Sequence, residues 1–285
     1  MKAVPRAIKT IKASISEICM CFGLSRDAYY KFFKRKRKQD TIASQVLKLV
    51  KEERKDQPRV GCRKLYESIH SLLIFEGLKI GRDKLFDILR EHEMLIRRKK
   101  YSCRTTNSYH RFHKYNNLVK DMDVTSPNQV WVSDITYIRT INGFCYLALI
   151  TDMYSRKIVG YDLSDTLELT GCLGAFKRAQ KAARPAAGLV HHSDRGIQYC
   201  SNQYVEELEK YGIKLSMTEE NHCYENAIAE RVNGILKDEF YLDQCFFSTE
   251  YARLAAKNAI KIYNSKRLHL SLGYKTPDSV FKNVA

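Results

Sequence analysis

The chain has 285 residues, 44% of them hydrophobic, and a formal net charge of +17 at pH 7. That length suits two or three domains with a real core, and sparse Gly and Pro exclude a fibrous or low-complexity chain. No apolar run approaches the ~20 residues of a membrane span, and the opening MKAVPRAIKTIKASISEI lacks the apolar centre and cleavage site of a secretory signal, so a soluble, cytoplasmic protein with no membrane partner is expected.

The charge is uneven. Residues 1–120 hold 30 Lys and Arg against 12 Asp and Glu, whereas residues 121–285 hold 19 against 20. A basic region joined to a near-neutral domain points to a polyphosphate partner, because each cation that meets a phosphate releases a condensed counterion. Within residues 15–35 a short apolar-periodic stretch meets Gly23, and Ser25 then caps a second helix. Helix, glycine turn and helix make a helix-turn-helix pattern whose second helix presents Arg26 and Lys31. The run Lys34–Lys38 reads as a solvated, phosphate-facing tail. Ile42 to Lys55 is the next predicted helix, broken by Pro58. Lys64 to Phe75 and Arg82 to Glu93 follow, with Gly77 and Gly81 between them. They form a second helix-turn-helix candidate, presenting Arg82 and Lys84. Residues 99–127 are polar and aperiodic, and read as a linker.

From Gln129 the pattern turns to strands. QVWVSDITYI is β-rich, Asn142-Gly143 marks a hairpin, and FCYLALI and KIVGYDL supply two more strands. A helix over 167–183, a strand over 188–194, a helix over 201–211, a strand over 213–217 and a long helix over 224–240 follow. This order predicts an α/β fold with a mixed sheet and helices packed on it. A last helix covers about 249–263.

Three carboxylates are hard to place as surface charge. Asp134 lies within an apolar strand, where a carboxylate is costly unless paired or bound to a cation. Asp194 follows the end of a hydrophobic strand, a usual ligand-binding edge. Glu230 points away from the apolar face of its helix and shares a polar face with Asn226, Asn233 and Lys237, a face suited to a cleft holding DNA. Converging carboxylates make an oxygen-rich Mg²⁺ site, and a pair of ions there serves phosphoryl transfer. Each also has a plainer reading: a buried Asp in a hydrogen bond, a strand-end Asp in a turn, and a solvated Glu. The nine cysteines include no C-x-x-C pair, which excludes a zinc knuckle and leaves reduced thiols.

LSRDAYYKF (24–32), W131-V-S-D134-I-T-Y-I, H192-S-D194-R-G-I-Q-Y199, Y224-E-N226-A-I-A-E230 with L236-K-D-E239, and Y263-N-S-K-R267-L-H269-L-S-L-G273-Y-K-T-P277 occur in this order. Across nearly the whole chain they resemble the OrfB-type transposases of the insertion-sequence-three family, relatives of retroviral integrases with an RNase H-like catalytic core. The 35 residues between Asp194 and Glu230 are that family's spacing. The resemblance implies that Asp134, Asp194 and Glu230 are catalytic and hold two Mg²⁺ ions, with Mn²⁺ as a substitute. It implies that Lys237 contacts DNA near the site. Arg195, Asn226 and Asn233 are further DNA-contact candidates, as are Arg26, Lys31, Arg82 and Lys84 in the basic region. Expected partners are double-stranded DNA at the element ends and target, further copies of this chain on that DNA, and an upstream-frame OrfA product. The expected location is the cytoplasm, on the nucleoid. Two departures from the family pattern are Glu225 for an Asp and Arg231 for a Ser. A third is the loop EENHCYEN, which stands in for a more basic stretch.

The expected divisions are a helix-turn-helix segment at 1–40, a second helix-turn-helix domain at 41–98, a linker at 99–127, an RNase H-like core at 128–245, and a C-terminal helix and tail at 246–285. His191 and His192 suit either a phosphate role or strand-end packing, and Arg267 and His269 either DNA contact or core packing. Asp152 reads as a turn residue, Trp131 as a core anchor, and Glu239, nine residues past Glu230 and about 180° around the helix from it, as a poor ligand. His110-x-x-His113 lacks the C-x-x-C of an integrase zinc domain. The alternative functions are a catalytically inactive DNA-binding regulator and a nuclease acting on hybrids.

Overall fold

The computed structural model describes residues 14–97, 112–219 and 226–282. They form two compact units, one of residues 14–55 with 65–95 and one of 56–64 with the remainder of the chain. None of the described helices is long and apolar enough to cross a membrane.

The first unit is helical. Helix α1 (Ile15–Cys21) opens with a reciprocal cap: Ser14 Oγ accepts from Glu17 N at 3.2 Å, and Ser14 N donates to Glu17 Oε2 at 2.7 Å. It ends before Gly23, whose φ of 62° suits glycine. Ser25 Oγ then accepts from Ala28 N at 3.1 Å and starts α2 (Arg26–Asp56), as expected. Helix α2 differs from expectation in its length. It runs unbroken for 31 residues, so the division placed at 40/41 falls inside a helix, and Lys34–Lys38 form part of it rather than a tail. Positions 34–41 are exposed on every side. Lys, Arg and Gln are good helix formers, and no Gly or Pro interrupts the run. Helices α3 (Cys62–Phe75) and α4 (Arg82–Glu91) bury Leu65, Ile69 and Leu73, and Leu85, Ile88 and Leu89.

The second unit holds a five-stranded mixed sheet in the order β3-β2-β1-β4-β5. Strands β1 (Val130–Thr140), β2 (Gly143–Asp152) and β3 (Ile158–Ser164) are antiparallel neighbours. Strands β4 (Val190–Ser193) and β5 (Lys214–Met217) extend the sheet in parallel beyond β1. Helices α5 (Leu169–Ala183), α6 (Ile197–Cys200), α7 (Asn202–Glu209), α8 (Ala227–Glu239), α9 (Thr249–Ser265) and α10 (Pro277–Lys282) surround it. Strand alternation divides the core. Trp131, Ala148 and Ile150 pack with α5, α6 and α7, while Ile138, Leu147 and Leu149 pack with α8 and α9. Helix α9 therefore belongs to the core rather than to a separate C-terminal segment. The expected linker also joins it: Tyr115 packs on one cluster, Val119, Met122 and Val124 on another, and Leu118 N donates to Ser216 Oγ at 2.8 Å.

Helix α5 lies so close to β3 that a Cβ at Gly160 would sit 2.3 Å from Ala175 O and 2.6 Å from Ala179 Cβ. Gly160→Ala is expected to destabilise the protein by about 1–3 kcal/mol through overpacking. Urea unfolding monitored on Trp131 measures this, and an unchanged midpoint would show that α5 can retreat.

Candidate active site

Strands β1 and β4 pair in parallel from Val130↔Val190 to Ser133↔Ser193. The next residue on each chain is an aspartate, Asp134 and Asp194. Paired residues on neighbouring strands lie ~4.8 Å apart and face the same way, so this register brings the two aspartates to one edge of the sheet. Val130, Val132 and Val190 share a cluster with Ala229 of α8, which makes that face the α8 side.

Two side chains of α8 fasten it to β1 at adjacent residues. Asn226, at the helix N-cap, donates Nδ2 to Ser133 O at 3.1 Å, and Asn233 donates Nδ2 to Asp134 Oδ2 at 2.7 Å. Seven residues separate them, close to two helical turns, and Glu230 falls between on the same side. The other Asp134 oxygen accepts from Ile135 N at 2.9 Å, and Asp194 Oδ1 accepts from Gly196 N at 3.0 Å. Among the described residues no three acidic, His or Cys side chains are gathered closely enough to grip an ion as they stand. Glu230 is exposed.

The electrostatics tie the three together. Burial, then the Asp194 charge and more weakly Glu230, push Asp134 up to about 7, against the opposing bonds from Asn233 and Ile135. Burial and Asp194 also raise Glu230. Like charges held this near each other leave the site short of positive charge.

Asn226 and Asn233 are corrected as DNA contacts: they are 2% and 5% exposed and engaged with β1. On the sequence they share the polar face of an amphipathic helix, which gives no sign that the sheet covers it. Arg195 is half-buried and donates Nε to Thr218 O at 2.7 Å; Lys237 is half-buried in the last turn of α8. Arg26, Lys31, Arg82 and Lys84 are exposed, Lys31 pairing with Asp27 and Arg82 with Asp83.

His191 and His192 are buried packing residues. His191 Nε2 lies 2.7 Å from Ser133 Oγ and 3.0 Å from Tyr204 Oη, and burial followed by the neighbouring His192 pushes it down to about 3, so it is neutral. His192 Nδ1 lies 2.8 Å from Ser216 Oγ. Asp152 is a turn residue that accepts from Asn128 N, Ser155 N and Ser155 Oγ at 2.7, 2.8 and 2.5 Å. Trp131 is fully buried, its Nε1 donating to Asn128 Oδ1 at 3.1 Å. Arg267 and His269 are buried as well, which assigns them to the core. His110 lies outside the described residues.

A hydrogen bond to a charged partner contributes about 1.5–3 kcal/mol, so Asn233→Ala is expected to lower stability by that amount in urea titration. Asp134 has an ordinary value of 3.8 and a folded value of about 7, so between the two the folded protein binds more protons. The ion-free protein should lose stability as pH rises from about 4 to about 7 and then level off. Asp134→Asn should remove that part of the slope, and a slope unaffected by the substitution would show that Asp134 is not its source.

Two integrase core domain family models match the chain, over residues 124–223 and 211–277. The chain is 36% identical to the insertion element IS600 uncharacterized 31 kDa protein of Shigella sonnei, over 91% of this chain and 96% of that protein. It is 34% identical to the transposase for insertion sequence element IS904 of Lactococcus lactis subsp. lactis, over 83% of this chain and 92% of the relative. Among solved structures, the catalytic core domain of HTLV-2 integrase in complex with magnesium aligns with a TM-score of 0.45 at 20% identity, over 55% of this chain and 97% of that one. With its mixed α/β core and its full-length relatives, the chain belongs to the insertion-sequence transposases that carry an integrase core domain, the IS3-type DDE polynucleotidyl transferases.

Proposed function

We propose that Asp134, Asp194 and Glu230 carry the strand cleavage and strand joining of this transposase. The observation that supports this most directly is the β1/β4 register, which ends one residue short of both aspartates, with α8, the helix that carries Glu230, fastened at Ser133 and Asp134. The residues fit hard divalent ions. Every charged donor is a carboxylate, the charges of Asp194 and Glu230 raise the pKa of Asp134 and that of Asp194 raises Glu230, and the amide oxygens of Asn226 and Asn233 are buried without a hydrogen-bond partner beside the same strand. Asp134, Asp194 and Glu230 would hold two Mg²⁺ ions, or Mn²⁺ in their place. Bound there, such a pair supplies an activated water or 3′-hydroxyl and a stabilised leaving oxygen at one phosphorus. The chain's own part is to orient the donors: Asn233 and Ile135 N fix Asp134, Gly196 N fixes Asp194, and Glu230 closes from the side.

In this reading Lys237 and Arg195 meet the DNA backbone near the site. Arg26, Lys31, Arg82 and Lys84 meet the element's terminal repeats through the two helix-turn-helix segments. Joining two ends calls for more than one copy of the chain on the DNA, acting on the nucleoid in the cytoplasm with an upstream-frame OrfA product.

Asp134→Asn, Asp194→Asn and Glu230→Gln are each expected to lower cleavage and joining by at least about a thousandfold while leaving DNA affinity within about threefold. Gel assays with Mg²⁺ on oligonucleotides carrying the terminal repeats measure both. A variant that cuts like the wild type would remove its residue from the site. A wild-type chain that binds these ends and never cuts would favour the inactive-regulator reading.

A further inference from the structure

The far end of α8 is held by a second set of contacts. Glu239, its last residue, is gripped by a two-pronged guanidinium: Arg267 Nε donates to Oε2 and Nη2 to Oε1, both at 2.8 Å. Lys64 Nζ donates to the same Oε1 at 2.7 Å. The remaining Arg267 nitrogen, Nη1, lies 2.9 Å from His269 Nε2. Burial, then the Arg267 and Lys64 charges, drives His269 down to about 3, so its ring is neutral and accepts. The Tyr263 ring lies 5.7 Å from the guanidinium carbon and meets His269 edge-on. Next to this cluster, Arg59 donates Nη1 to Asp238 Oδ1 at 2.6 Å and to Asp238 O at 3.0 Å, and its N–H reaches Glu239 O at 3.3 Å.

Three stretches of the second unit, residues 56–64, the end of α8 and the tail after α9, thus meet at one partly buried carboxylate. Partner cations hold Glu239 down at about 2, against the effect of burial, so it stays charged. A buried ion pair is a poor device for stability alone, since an apolar trio of similar volume does as well or better; what it adds is a fixed geometry. Glu239 lies nine residues from Glu230, half a turn around the helix. The asparagines hold one side of α8 to β1, and the Arg267 fork holds the opposite side at the other end. Together they fix the rotation of α8 about its axis, and with it the direction of Glu230 and Lys237.

We propose that Glu239, clamped by Arg267 and Lys64, is a positioning residue for strand cleavage and joining, setting the rotation of the helix that presents Glu230. The inference rests on the reading of Glu230 as catalytic. The test uses the full-length chain with Glu239→Gln, which keeps the shape and loses the charge, and Arg267→Lys, which keeps the charge and loses the fork. Glu230→Gln runs in parallel. Three quantities are read below each variant's melting temperature: affinity for a terminal-repeat duplex, single-turnover cleavage at saturating DNA, and the rise in melting temperature on adding MgCl₂ without DNA. Glu239→Gln is expected to bind DNA within about twofold of wild type. It should cleave at least tenfold more slowly and need several-fold more MgCl₂ for the same thermal shift, with Arg267→Lys intermediate.

A purely structural role would lower the melting temperature and leave the rate and MgCl₂ midpoint of the folded protein unchanged; that result overturns the proposal. Should Glu239→Gln fail to fold, Arg267→Lys decides by the same readings. If Glu230→Gln is inactive while both clamp variants match wild type, the positioning role alone fails. If Glu230→Gln retains cleavage, the catalytic reading fails with it.

Discussion

Everything in the candidate site depends on how one helix is fastened to one strand. The Asn226 and Asn233 amides reach adjacent residues of β1, at Ser133 O and at Asp134 Oδ2. Hydrophobic contact cannot do this. Val232, Ile235 and Leu236 press α8 onto the sheet, but an apolar contact is non-directional and leaves rotation and slide loosely set. Two directed bonds, two turns apart, fix both. They do so at the point where the strand carries its charge.

That arrangement brings like charges together and partly buries them, which opposes folding in the ion-free state. Asp134 shows the strain most, held between the burial and neighbouring carboxylates that favour its neutral form and the two donors that favour its anion. Perturbed carboxylates of this kind cluster at functional sites. At the opposite end of the same helix the balance is reversed. Glu239 sits among Lys64 and Arg267, and its charge is secured.

Much of this was legible in the residues. The strands announce themselves through apolar runs closed by turn residues, and Asp134 and Asp194 stand out because such runs rarely end or pause on a carboxylate. The asparagines were misread for a physical reason. A polar face on an amphipathic helix normally looks to solvent, and only the tertiary packing of α8 against β1 turns this one inward. Arg267 and His269 carried no readable role, since their meaning lies with Glu239 and Lys64, the latter roughly two hundred residues away along the chain. The length of α2 was available and missed. No Gly or Pro falls between Arg26 and Asp56, yet the dense basic run suggested a break that backbone propensity alone did not require.

A rod differs from a tether in what it transmits. Because α2 continues through its solvated middle, the cations near its start keep a set distance and bearing from the packed residues Val46 and Val50 nearer its end. At ~1.5 Å and ~100° per residue, the helix acts as both ruler and protractor, some 46 Å from end to end. Adding or removing a single amino acid in that middle would lengthen or shorten it only slightly but swing everything before it by more than a quarter turn. A flexible connector would absorb the same change without consequence.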